Sequence, residues 1–165
     1  KARGAKFQSS EIMLNHVAID GRLVTGQNPT STVGVANALA ESLGIKPVKY
    51  ELHSEDRTLA VVAEYLAGDR NALTKLTASS EEYQLPLASM YGYYFVNVAD
   101  NEAKLSQALT LMQVAQATLK NTTLDMQIAK TQQKLGQLDA AKITLNQILV
   151  ANPDFKAAQD MLKTL

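Results

Sequence analysis

Apolar positions along this chain first cluster in short extended runs and then settle into helical spacing. Between Glu11 and Gly26, Val17-Ala18-Ile19 and Leu23-Val24-Thr25 flank Asp20-Gly21. An Asp-Gly pair between two such runs predicts a β-hairpin with a type I′ turn, because both central residues of that turn need positive φ. Gly26-Gln27-Asn28-Pro29 breaks the second strand. Thr30, Ser31 or Thr32 can then cap a helix that carries Val33, Ala36, Leu39, Ala40 and Leu43 on one face. Gly44 is its predicted stop, and Pro47 follows three residues later.

Beyond a connector the spacing is helical throughout. Ser54 precedes an acidic first turn, and Leu59, Val62, Ala63 and Leu66 form an apolar face that Gly68 terminates. A short helix is predicted from about Asp69 to Ala78, followed by a turn that Ser79 and Glu82 cap. Pro86 belongs in the first turn of the next helix, whose stripe is Leu87, Met90, Tyr91, Tyr94 and Val98. After Asp100-Asn101 one longer helix is expected to carry Leu105, Leu109, Met112 and Leu119. Thr122 and Asp125 read as a capping box for a helix bearing Leu124, Ile128, Thr131 and Leu135, which Gly136-Gln137 ends. Another helix presents Leu138, Ala141, Leu145, Ile148 and Leu149. Asn152 and Pro153 are placed as N-cap and first residue of the last helix. The predicted fold class is mainly α: a short N-terminal β-hairpin and helix, then an array of antiparallel helical hairpins.

Composition narrows the function classes. Hydrophobic residues make up 46% of 165, a globular proportion. No stretch approaches the eighteen or so consecutive apolar residues of a membrane span, so no membrane role is expected. The basic start, Lys1 to Lys6, has no apolar run behind it and is not a signal peptide, which favours the cytoplasm. Cysteine is absent, which removes disulfides, thiolate nucleophiles and thiolate metal sites together. Residues 1–50 carry six Lys/Arg against three Asp/Glu, whereas the remainder carries ten against thirteen. A helical region of net negative charge suits a phosphate backbone poorly, so nucleic acid is not an expected partner.

Two stretches carry a family resemblance. The first runs from Gly4-Ala5-Lys6-Phe7 through Val17-Ala18-Ile19-Asp20-Gly21-Arg22-Leu23-Val24-Thr25-Gly26-Gln27-Asn28-Pro29 to Leu43. It resembles the C-terminal end of the PfpI/ThiJ superfamily, a glutamine-amidotransferase-like α/β sandwich, and covers about a quarter of the chain. The resemblance implies that this piece is the end of such a sandwich and that the family's acid, cysteine and histidine lie upstream of it. It also implies that Gln27, Asn28 and Pro29 border a pocket in a longer protein. The second resemblance is to a tetratricopeptide repeat. It rests on Ile128-Ala129, Lys134-Leu135-Gly136, Leu138-Asp139-Ala140-Ala141, Leu145, Ile148-Leu149 and Ala151-Asn152-Pro153. Small Ala129 and Ala141 let two antiparallel helices approach closely. A weaker copy uses Tyr94, Ala108, Met112 and Ala115. Residues 1–46 are thus expected to be the PfpI/ThiJ-like piece, 47–53 a connector and 54–165 a tetratricopeptide-like domain.

The candidate chemistry is sparse. His16 and His53 are the only histidines, and neither has carboxylates at the spacing a zinc site needs. Ser9, Ser10 and Ser31 lack a nucleophile-elbow context. Helix first turns account for Glu55, Asp56, Glu81 and Glu82. No catalytic residue, metal ligand or cofactor is expected, and no hydrolase activity is expected of this chain. Tyr91, Tyr93 and Tyr94 are the candidate partner-binding residues. Core packing is the competing reading for Tyr91 and Tyr94, which share the apolar stripe, whereas Tyr93 lies off it and suits a groove. The function expected is a non-catalytic module for protein interaction or oligomerisation that takes a protein or peptide partner. The alternative is a regulatory tail of a PfpI-type amidase, protease or stress-related hydrolase. A hairpin and one helix cannot form a core alone, so they must pack on the helical region or on another chain, and a homo-oligomer is one outcome of that need.

Overall fold

Two antiparallel strands, β1 (Val17–Asp20) and β2 (Leu23–Gly26), pair Val17 with Gly26 and Asp20 with Leu23 in the computed structural model, which describes residues 4–79 and 81–165. The hairpin loop is Gly21-Arg22, and of these only Gly21 has positive φ, +57°. A type II′ turn needs Gly at its first central position and nowhere else. The predicted hairpin therefore forms with its turn one residue later than expected.

One turn of 3₁₀ helix, Pro29–Ser31, leads into α1 (Thr32–Ser42). Gly44 closes α1 at φ +72°: its N–H donates to Glu41 O while the N–H of Ile45 donates to Ala40 O. That reciprocal pair satisfies the carbonyls a helix end leaves open. Gly68 does the same after α2 (Ser54–Leu66), and Gly136 after α7 (Thr122–Lys134). All three glycines are the stops expected from the sequence.

The remaining helices are α3 (Thr74–Ala78), α4 (Leu85–Phe95), α5 (Glu102–Gln113), α6 (Gln116–Leu119), α8 (Leu138–Ala151) and α9 (Lys156–Leu162). Several boundaries depart from the expected ones. The helix expected from Asp69 starts only at Thr74, because the Asp69 carboxylate accepts the N–H of Asn71 and turns the chain there. The long helix after Asn101 is broken in two at Val114-Ala115. Asn121, not Thr122, caps α7, accepting from the N–H groups of Thr123 and Leu124. Asn152 donates its N–H to Ile148 O and caps the C-terminus of α8, while Phe155 is the N-cap of α9, which begins at Lys156.

The helices form successive antiparallel hairpins. Ser89 and Gly92 of α4 lie against Met112 and Ala108 of α5, and Gln132 of α7 meets Thr144 of α8. α2 packs on α4, α5 on α7, and α9 on α8. Two apolar cores result. The larger gathers Val62, Leu76, Tyr91, Phe95, Leu111 and Met112 from α2 to α5, with Leu124 and Ile128 of α7. The smaller holds Met126 and Ala129 from α7, Leu145 and Ile148 from α8, and Ala158 from α9.

The N-terminal piece joins this body through a loop and not through its hairpin. Leu14 is buried in the larger core, and Ile12 and Met13 pack against it. Glu11 adds an ion pair to Lys104 of α5 at 3.1 Å. No residue of α1 is buried.

Candidate functional site

The segment Gln27–Ser31 acts as a buckle for the loop that precedes the hairpin. Gln27 accepts the N–H of Ser10 through Oε1 (2.9 Å) and donates Nε2 to Glu11 O (3.0 Å). Asn28 donates Nδ2 to Leu14 O (2.8 Å), and Thr30 donates its hydroxyl to Met13 O (3.2 Å). Ser31, fully buried, accepts the N–H of His16 at 3.0 Å. Met13 sits in the left-handed region at φ +61°, a conformation of some steric cost for its side chain. These side-chain bonds surround it and hold it there.

A cleft of ≈ 590 Å³ lies between this loop, the start of α1, and α2. Leu14, Val33, Leu59 and Ala63 give it apolar walls, while Asn15 and Asn37 contribute polar groups. Thr30 lines it. Gln27, Asn28 and Pro29, expected to border a pocket in a longer protein, do not line this cleft: the two amides bond the loop, and Pro29 opens the 3₁₀ turn. Their role in this chain is to position the loop that forms one wall.

The aromatic candidates separate. Tyr91 is fully buried, stacked at a tilt on Phe95 with ring centroids 5.7 Å apart, and cannot offer its ring to a partner. Its hydroxyl is buried without a hydrogen-bond partner among the described residues. Burial, and secondarily the nearby Glu11 carboxylate, pushes its pKa well above the usual tyrosine value. Tyr93 is half-buried against the larger core. Tyr94, expected on the packed stripe, is 47% exposed and meets Tyr93 edge-on at 5.5 Å.

This inversion has a steric cause. α4 presses Ser89 and Gly92 onto α5, and a Cβ on Gly92 would lie only 2.6 Å from Ala108 O and 2.7 Å from Met112 N. Close approach selects the small-residue side of the helix, which leaves Met90, Tyr94 and Val98 uncovered one turn apart. α1 behaves alike. Gly34 and Gly26 bring it against the hairpin, where added Cβ atoms would come within 3 Å of Val17 and of Ser31 and Val35. The stripe expected to be core, including Leu39 and Leu43, is exposed instead. Hydrophobic spacing alone could not find Gly92 or Ser89, since neither is apolar enough to mark a stripe.

Electrostatics at these surfaces is local. Glu11 holds the Lys104 ammonium above its ordinary pKa by hydrogen bonding. At the start of α2 a backbone hydrogen bond, then Gln84 and Ser54, hold the Glu55 carboxyl below the usual range. Among the described residues no three His, Asp or Glu side chains cluster in a metal-binding arrangement, and no helix is long and apolar enough to cross a membrane.

Compared with protein-family models, with curated proteins and with solved structures, the chain has no match.

Proposed function

We propose that this chain is a non-catalytic module for protein interaction or oligomerisation, and that its helical hairpins carry a protein or peptide partner. The observation that supports this reading best is the uncovered stripe formed by Met90 and Tyr94 on α4 with Val98 just past its end, opposite the buried Ala88, Ser89 and Gly92. Full burial of an aliphatic or thioether side chain is worth roughly 1.5–3 kcal/mol, and these side chains are already about half covered, so each offers a partner about half of that. Tyr94, braced by Tyr93, supplies rigid contact area at small entropic cost. The partner is a segment with apolar side chains spaced to meet a helix ridge.

A second reading attaches to the N-terminal piece, whose residues resemble the end of a PfpI/ThiJ sandwich. An α1 with no buried residue has an apolar stripe free for a further layer. That supports a role as the tail of a PfpI-type amidase, protease or stress-related hydrolase, with catalysis performed by residues outside this chain.

Selection of a random peptide library on the immobilised protein tests the first reading. Enriched peptides should lose at least about tenfold in affinity against Tyr94→Glu or Met90→Glu, a typical hot-spot effect, with the thermal melt of the protein unchanged. Failure to enrich any peptide, or binding indifferent to both substitutions, would overturn the α4 surface. Turnover of model peptides, amides or glyoxals well above blank would overturn the non-catalytic assignment.

A further inference from the structure

The connector between α1 and α2 has a pattern that neither the hairpin nor the helices use. Val48-Lys49-Tyr50-Glu51-Leu52 alternates apolar and charged residues with the two-residue period of a strand. It is not a strand here. Among the described residues, the backbone groups of Lys46 to Glu51 make no hydrogen bond, and Val48 is 84% exposed. Leu52 O is the first carbonyl of the segment with a partner, the Arg57 guanidinium at 2.6 Å. A sequence with strand alternation and open backbone groups is an unpaired edge.

The segment is also complementary to itself. Laid antiparallel on a second copy with Tyr50 on the axis, Val48 falls opposite Leu52, and Lys49 falls opposite Glu51. Both pairs occur twice by symmetry. Directly opposed residues in an antiparallel ladder share a face, so Val48, Tyr50 and Leu52 of both copies would form one apolar side and two Lys–Glu pairs the other. Parallel in-register pairing would instead set Lys49 against Lys49 and Glu51 against Glu51. Charge complementarity therefore selects a second copy in one orientation, the self-complementary contact of a two-fold dimer.

We infer that residues Val48–Leu52 form the self-association site of this protein, pairing antiparallel with the same segment of a second copy into an intermolecular β-ribbon. A bare two-stranded ribbon is marginal in water. Leu43 and Ile45, both exposed immediately upstream, supply additional apolar surface to the contact. The inference rests on the oligomerisation side of the proposed function but uses a different surface from α4.

Charge reversal tests it on the whole chain by sedimentation velocity over a micromolar to high-micromolar range. Wild-type protein should show a reversible monomer–dimer equilibrium. Lys49→Glu sets two like-charge contacts against Glu51 of the other copy, and Glu51→Lys does the same with Lys49. Each alone should weaken dimerisation by about tenfold or more, since two cross-strand pairs change sign. Mixing the two single variants should restore association as a heterodimer, and the double variant Lys49→Glu/Glu51→Lys should restore the homodimer. Both positions are exposed, so far-UV circular dichroism should not change. A strict monomer across the range, or a dimer insensitive to the swaps, would overturn the inference. Either result accompanied by Tyr94-dependent peptide binding would leave the interaction reading standing; loss of that peptide binding with an intact, swap-sensitive dimer would do the reverse.

Discussion

Gly92→Ala sets two known effects against each other with opposite signs. In the interior of a helix, replacing Gly by Ala favours the folded state by roughly 0.5–1 kcal/mol, because the glycine backbone loses more freedom on folding. At position 92 the new Cβ would stand 2.6 Å from Ala108 O, 2.7 Å from Met112 N and 2.8 Å from Leu111 Cβ. Two of these atoms are backbone and cannot rotate away, so α4 and α5 must separate along their length. Overpacking typically costs about 1–3 kcal/mol, and three simultaneous contacts under 3 Å place this site at the upper end. The separation also loosens Ser89, which is buried at the same contact. A net loss of about 2 kcal/mol follows, equivalent to a fall in Tm of roughly 4–8 °C for a chain of this size. Calorimetry and urea unfolding followed at 222 nm measure it. Gly136→Ala is the control: its φ is +70° with no atom within 4 Å of the added Cβ, so only the left-handed penalty of about 1 kcal/mol applies. A Gly92→Ala protein as stable as wild type, or more stable, would refute the close-contact account of this helix pair.

Ser89→Ala should cost about 1–3 kcal/mol, because the Ser89 hydroxyl accepts the buried N–H of Ala115 at 3.1 Å and donates to Met112 O at 3.0 Å, and alanine leaves both unpaired. Urea unfolding checks the magnitude, and faster amide exchange at Ala115 should accompany it; an unchanged midpoint would count against the bond. Tyr91→Phe removes a buried hydroxyl without a partner, so stability at neutral pH should stay level or rise slightly. Its effect on alkaline stability is more telling. Burial raises the folded-state pKa of Tyr91 above the unfolded value, so the stability tied to its neutral form is complete below about pH 10 and is lost as pH rises beyond it. Melts of the two proteins between about pH 9 and 12 should diverge, with Tyr91→Phe falling less steeply; parallel curves would refute the assignment.

Much of the fold was legible because its signals are local. Gly44, Gly68 and Gly136 mark helix ends through backbone conformation alone, and the hairpin announces itself by Gly21 between two extended runs. What escaped the sequence depends on residues far apart along it. The break between α5 and α6 arises where Ser89, twenty-six positions earlier, takes the N–H of Ala115. The outward turn of the α1 and α4 stripes depends on Gly34 and Gly92, whose contribution is the absence of a side chain, invisible to any hydrophobic pattern. Periodicity located the apolar stripes but not what covers them. Among the candidate site residues, Tyr91 lies inside and Tyr94 outside for this reason. The bonds of Gln27 and Asn28 to carbonyls of loop 11–14, more than a dozen positions earlier, are likewise invisible to local pattern.

Helix α7 gives Leu124 and Ile128 to one core and Met126 and Ala129 to the other. It is thus a party wall, and neither side can open without stripping a neighbour's surface. Within this region α9 packs chiefly on α8 and shares the smaller core with α7 through Ala158. The two cores are thereby coupled through one helix, so loss of α7 packing is expected to weaken both together.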